Sequence, residues 1–169
     1  MKAILSADRN WGIGKAGRLL VSIPKDMAYF RKMTAGHTLV MGRKTLESFP
    51  NGRPLKDRVN IVITHRQDYA CEGAVIVHSV EEALDAVRQS GDEDAFVIGG
   101  AEIYREMLPY VDTVFVTKID CAYDADAYFP NLDQDPEWEL AAESEEDTFF
   151  DLIYVFDMYK RRSGAETEK

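Results

Sequence analysis

This 169-residue chain predicts an α/β fold: one domain built as a three-layer sandwich around a central, mostly parallel eight-stranded sheet. About four helices cover the two faces, and an antiparallel strand comes at the C-terminal end. Three observations carry the prediction. Apolar runs of strand length alternate with amphipathic helical patterns through most of the chain, as in parallel strands joined by crossover helices. Residues 95–98, AFVI, are apolar without a break, as expected of a strand buried on both faces. Residues 137–159 carry no helical period, and the β-rich run DTFFDLIYVFDMY alternates like an antiparallel edge strand.

Taken in order, a first strand is expected at about 2–7, from the run KAILSA. A long glycine-bearing loop follows, and a helix is expected at 24–34, where Met27, Phe30 and Met33 share one face. HTLVMG predicts a strand at 37–42, followed by a short helical turn at 43–48. RVNIVIT and AVIVH predict strands at 58–64 and 74–78. Val80, Ala83, Leu84 and Val87 give a helix at 80–89, with Glu81 and Glu82 in the first turn, where they favour the helix dipole. A strand at 95–99 leads through Gly99-Gly100 into a helix at 102–108 carrying Ile103, Met107 and Leu108. The remaining strands are expected at 111–118, 137–143 and 148–159. Residues 1–162 form the predicted domain, and 163–169 a polar tail.

Composition narrows the function. Formal net charge is −10, which disfavours a nucleic-acid partner, since that requires a basic face. No apolar run approaches the roughly 18 residues needed to span a bilayer, and MKAILSADRNWG reads as a first strand, not a signal peptide. Cys71 and Cys121 lack metal-ligand spacing and are too few for a disulfide framework, which suits a reducing cytoplasm. No metal site is expected.

The strand ends carry the chemistry. Gly99-Gly100, between a buried strand and a helix, leaves N–H groups open to a phosphate or pyrophosphate; the alternative is a tight turn without a ligand. Gly42-Arg43-Lys44-Thr45 and Thr64-His65-Arg66 end two further strands with cations and hydroxyls. Each alone suits a solvated turn. Together with the glycine pair they favour an anionic nucleotide at the carboxyl edge of a parallel sheet. Two motif matches are rejected. GIGKAG at 12–17 fits GxGxxG by letter but does not join a strand directly to a helix, and no acid follows at the required distance. The Gly42–Thr45 stretch resembles the end of a Walker loop, but position 37 is His where that loop needs Gly. Asp26 admits two readings. It is a first-turn acid stabilising the helix dipole, with Ser22 or a neighbour as cap. Or, beside Met27 and Phe30, it is a carboxylate among apolar side chains suited to the amidine-like edge of a flat heterocycle.

Assembled, these residues make the chain resemble the chromosomal dihydrofolate reductases of bacteria. The resemblance runs from about Met1 to Arg162, through WGIG at 11–14, IPKDMAYF at 23–30, VMGRKTLESF at 40–49, RPLKDRVNIVIT at 53–64, VIGGAEIY at 97–104 and the threonine of VTKID at 116–120. It implies NADPH-dependent reduction of 7,8-dihydrofolate to tetrahydrofolate by a monomer. Asp26 is expected to hold the pterin and assist its protonation, with Thr117 behind it. The resemblance further implies that the main-chain carbonyls of Ile4 and Ile98 border the pterin. Met27, Phe30 and Phe49 wall the substrate, and Arg58, with Arg53 nearby, meets its glutamate carboxylate. On the cofactor side it places Ser6, Ile13 and Gly14 at the nicotinamide. Arg43, Lys44, Thr45, Thr64, His65 and His78 surround the phosphates and adenosine, while Gly99, Gly100, Ala101, Glu102 and Ile103 cradle the pyrophosphate. Asp126 belongs to a loop bracing an 8–23 lid, itself expected to be held by few contacts, and the Gly99-Gly100 peptide is expected to be cis.

Two positions depart from the family pattern. Leu20-Val21 stands where Pro-Trp is usual, which removes an indole donor near Asp26. Position 102 is Glu, so a cation for a 2′-phosphate has to come from Arg43, Lys44 or Arg66. Two other readings compete: a riboflavin-pathway pyrimidine reductase of the same fold, and a nucleotide-binding relative without turnover. The first does not call for an acid in the first helical turn together with Arg53 and Arg58.

Overall fold

The computed structural model describes residues 1–162; the predicted polar tail at 163–169 lies outside the described residues. Its strands are β1 Lys2–Ala7, β2 Gly12–Gly14, β3 Thr38–Gly42, β4 Val59–Ile63, β5 Ala74–Val77, β6 Phe96–Gly99, β7 Thr113–Ile119, β8 Ala127–Tyr128, β9 Trp138–Glu143, β10 Asp147–Phe149 and β11 Leu152–Arg161. The helices are α1 Pro24–Thr34, α2 Arg43–Glu47, α3 Val80–Ser90 and α4 Ala101–Met107.

The main sheet runs β10-β11-β7-β1-β6-β3-β4-β5, with β9 also paired to β11. The segment from β7 to β5 is parallel, and every pairing of β11 is antiparallel. Side chains alternate across it. Ala3, Leu5, Val40, Ile61, Val97, Val114 and Val116 enter one core beneath α3 and α4. Ile4, Leu39, Met41, Val62, Phe96 and Phe115 enter the other, beneath α1 and α2. Near-continuous apolar strands are therefore needed because both faces are covered.

Helix ends follow local chemistry. In α3, Ser79 accepts the Glu82 N–H at 3.1 Å, and Gly91 closes the helix at φ 74. The cap of α1 is the neighbour of Ser22, not Ser22 itself. Its cap position is Ile23, without a side-chain hydrogen bond, and Pro24 opens the helix. Ile23 packs with Ile119 and Tyr154, so burial selects that residue, and proline at the first position has no N–H to satisfy.

Two expectations change. The strand foreseen at 148–159 breaks at Phe150, where φ is 53, into β10 and β11, so the sheet has nine strands instead of eight. Nor is β11 an edge strand. Its first residues pair with β10 and its last with β9, which covers the side turned away from β7. Within the 8–23 segment, Gly12 and Gly14 pair with Tyr128 and Ala127.

Candidate active site

Asp26 sits in the first turn of α1, half-buried, facing the sheet. Thr117 lies on β7, level with Ser6 of β1, and is 1% exposed. Its hydroxyl donates to Asp26 Oδ1 at 2.6 Å. Burial raises the Asp26 pKa above the ordinary carboxylate range, and the Thr117 hydrogen bond works in the opposite direction. An acid held toward its protonated form beside apolar side chains suits proton donation.

The walls come from the same sheet face. Ile4, Phe30, Phe49 and Ile98 belong to one apolar cluster, and half-buried Met27 follows Asp26 on α1. The Ile4 carbonyl accepts a 2.7 Å hydrogen bond from the Tyr104 hydroxyl, a buried group whose pKa burial pushes upward. Tyr104 received no role from sequence. The available signal was its place one turn into the helix after the glycine pair, where its N–H meets the Gly100 carbonyl at 2.9 Å.

Arg58 is held at the other end of α1. Its Nε donates to Thr34 Oγ1 at 3.1 Å, Nη1 to the Lys56 carbonyl at 2.7 Å and Nη2 to the Arg31 carbonyl at 3.0 Å. Thr34 is fully buried and donates onward to the Phe30 carbonyl at 2.8 Å. No carboxylate pairs with Arg58 among the described residues. One N–H on each terminal nitrogen is left for an outside partner. Arg53 lies on the exposed stretch nearby.

A second cleft forms where β3, β4 and β6 end. Strand register puts Met41 beside Gly99 and Gly42 beside Ile63, so the Gly42–Thr45 and Gly99–Ile103 turns adjoin. Closeness is part of the design: a Cβ on Gly42 would come within 3.1 Å of Ile103 Cγ1. The Gly99-Gly100 peptide is cis, as expected. A Cβ on Gly100 would meet only Thr45 Oγ1, at 3.9 Å, which leaves an open cradle. Ala101 is half-buried and Glu102 exposed, while Ile103 points into the core. Thr64 is nearly buried, with its hydroxyl accepting the Arg66 N–H at 3.1 Å. The carbonyl of Thr64 lies 2.8 Å from His78 Nδ1, which must be the protonated ring nitrogen; His65 is exposed. Arg43 is already engaged, paired to Glu47 through two 2.9 Å hydrogen bonds. Lys44 and Arg66 have no carboxylate partner among the described residues.

The 8–23 segment leads from β1 to α1. Ile13 and Gly14 are carried on β2, and the Asp126 N–H donates to the Gly14 carbonyl at 3.0 Å. Asp126 Oδ2 accepts the Ala16 N–H at 3.0 Å, and Lys15 pairs with Asp124 at 3.3 Å. Val21 packs toward Ile23, Ile119 and Tyr154.

The dihydrofolate reductase family model matches residues 1–161. The chain is 39% identical over 165 residues to the dihydrofolate reductase of Bacillus subtilis strain 168, covering 96% of this chain and 95% of the relative. It is 38% identical over 142 residues to the Neisseria gonorrhoeae dihydrofolate reductase, covering 84% and 85%. A solved structure of Enterococcus faecalis dihydrofolate reductase, complexed with NADP(H) and RAB-propyl, superposes with a TM-score of 0.83. That match covers 96% of both chains at 33% identity.

Proposed function

Because the chain belongs to the dihydrofolate reductase family, we propose that Asp26 and Thr117 serve its reaction at the pterin. That reaction is the reduction of 7,8-dihydrofolate to 5,6,7,8-tetrahydrofolate, for which NADPH, when bound, supplies the hydride. The observation that carries the assignment is the half-buried Asp26 carboxyl, fixed at 2.6 Å by Thr117 and raised in pKa by burial. Asp26 binds the 2-amino and N3 edge of the pterin and promotes delivery of a proton toward N5. Met27, Phe30 and Phe49 exclude water from the ring, Ile4 and Ile98 border it with carbonyls, and Arg58 with Arg53 receives the tail carboxylate.

The residues of the second cleft fit the cofactor. Gly100 leaves room for a pyrophosphate, and the Gly99–Ile103 turn surrounds that space. Thr45, Thr64, His65 and His78 line the adenosine side, and Ser6, Ile13 and Gly14 meet the nicotinamide. Since Arg43 is paired with Glu47, the 2′-phosphate falls chiefly to Lys44 and Arg66. The enzyme acts as a cytoplasmic monomer. Cys71 and Cys121 are free, which suits a reducing compartment. No helix among the described residues is long and apolar enough to cross a membrane.

Loss of NADPH absorbance on adding dihydrofolate tests the reading. Turnover is expected with dihydrofolate and none with a ribose-phosphate pyrimidine; the reverse result moves the chain to the riboflavin-pathway activity. The cradle has its own test. Gly100 has φ −79, and a Cβ there meets only Thr45 Oγ1 at 3.9 Å, so Gly100→Ala should keep the fold while raising the NADPH Kd several-fold, up to about tenfold or roughly 1.4 kcal/mol. Gly99 has φ 126, and Gly99→Ala should instead lower the melting temperature. Unchanged NADPH titration of the Gly100→Ala variant overturns the pyrophosphate assignment.

A further inference from the structure

Asp8, the residue after β1, is 1% exposed and faces no cation within salt-bridge distance. Its carboxylate is satisfied by main-chain donors alone. Oδ1 accepts the N–H groups of Asn10 at 2.9 Å and Gly12 at 2.8 Å, both in the lid base. Oδ2 accepts the Tyr123 N–H at 2.9 Å, from the loop that ends in Asp126. The main chain of Asp8 closes the same turn, donating to the Gly12 carbonyl at 2.9 Å and accepting from Trp11 at 3.1 Å. Trp11, at φ 63, is thereby held in left-handed backbone and buried against Phe129 and Tyr159. Packing leaves no slack, since a Cβ on Gly12 would lie 3.0 Å from each Asp8 oxygen and 2.6 Å from Ala125 Cβ.

Besides the β2–β8 pairing and its main-chain hydrogen bonds, the lid base and the 121–128 loop are joined by a carboxylate at each end. Asp126 makes the outer join, an exposed carboxylate on the Ala16 N–H at 3.0 Å. The inner join is Asp8, sealed from water. A charge-assisted bond survives better where water cannot compete for it. We infer that Asp8 is a positioning residue: its carboxylate fixes the lid base to the 121–126 loop, so that Ile13 and Gly14 meet the nicotinamide as one unit with that loop. This rests on the reading of Ile13 and Gly14 as nicotinamide contacts.

Asp8→Asn tests it. The amide keeps one acceptor oxygen, so its NH2 must face either Tyr123 N–H or the Asn10 and Gly12 pair, donor against donor. Single-turnover hydride transfer at saturating NADPH should fall at least about tenfold. Affinity for 2′-phospho-ADP-ribose, which lacks the nicotinamide, should stay within about twofold. In the ligand-free variant, amide hydrogen exchange at Asn10, Gly12 and Tyr123 should quicken at least about tenfold while β3 and β4 amides keep their rates. Acceleration spread evenly over all amides, or an unchanged hydride-transfer step, overturns the inference. Should the variant not fold, wild-type exchange decides. Gly12 and Tyr123 protected together and more strongly than Ala16 supports the join, and independent exchange refutes it. Absence of dihydrofolate turnover in the wild type would instead remove the underlying activity.

Discussion

Replacing Asp26 by Asn should cut turnover roughly 100-fold or more while leaving the fold intact, because general acid assistance contributes on that scale. The amide oxygen still accepts the Thr117 hydroxyl now 2.6 Å from Oδ1, so geometry is retained and only the charge and the titratable proton are lost. The same substitution should stabilise the protein. Burial raises the folded-state pKa of Asp26 above its unfolded value. Its contribution to stability is therefore complete below the ordinary carboxylate pKa and is lost as pH rises through the raised one. An asparagine avoids that loss, so the variant's melting temperature should exceed the wild type's by a margin that grows across that window and levels off above it. Wild-type hydride transfer should fall over the same rise in pH, as the carboxyl gives up its proton. A flat rate profile between about pH 5 and pH 9, or a variant with near-normal turnover, removes the assigned role.

Sequence legibility tracked distance along the chain. Asp26, Met27 and Phe30 lie within one helical turn of each other, so their shared neighbourhood follows from spacing alone. The glycine pair and the cationic strand ends were equally local, and parallel order then places them on one edge. Partners brought in by register were not visible to periodicity. Thr117 reaches Asp26 across 91 positions and was foreseen only through family resemblance. Tyr104 reaches the Ile4 carbonyl across 100. Asp8 carries no local signal, because nothing near it in sequence shows that Tyr123 will bring it a third N–H. Arg43 is the opposite case: its i,i+4 spacing to Glu47 was readable in the sequence, and the two side chains pair in the structure. The break at Phe150 was hidden because an aromatic residue in an alternating run reads as strand, yet this one turns at φ 53 and is 88% exposed.

Arg58→Leu should raise the Michaelis constant for dihydrofolate roughly 10- to 150-fold, about 1.5–3 kcal/mol, with a much smaller change in turnover. The guanidinium is prepared for a carboxylate before any arrives. Thr34, Lys56 and Arg31 take one donor from each of its three nitrogens, which fixes the plane of the fork. The remaining N–H on each terminal nitrogen is free to bind a carboxylate in the bidentate manner. Arg58→Lys keeps the charge but not the fork, and should recover only part of the affinity. Because the tail lies far from the reacting ring, its binding energy is nearly the same in ground and transition states, and the loss appears in the Michaelis constant. The fork also ties β4 to the end of α1, so a lower melting temperature is expected and must be separated from binding. Pteridines without the glutamate tail make that separation. Their kinetics should be indifferent to Arg58→Leu, and an equal penalty on them would show that Arg58 shapes the cleft instead of recognising the tail.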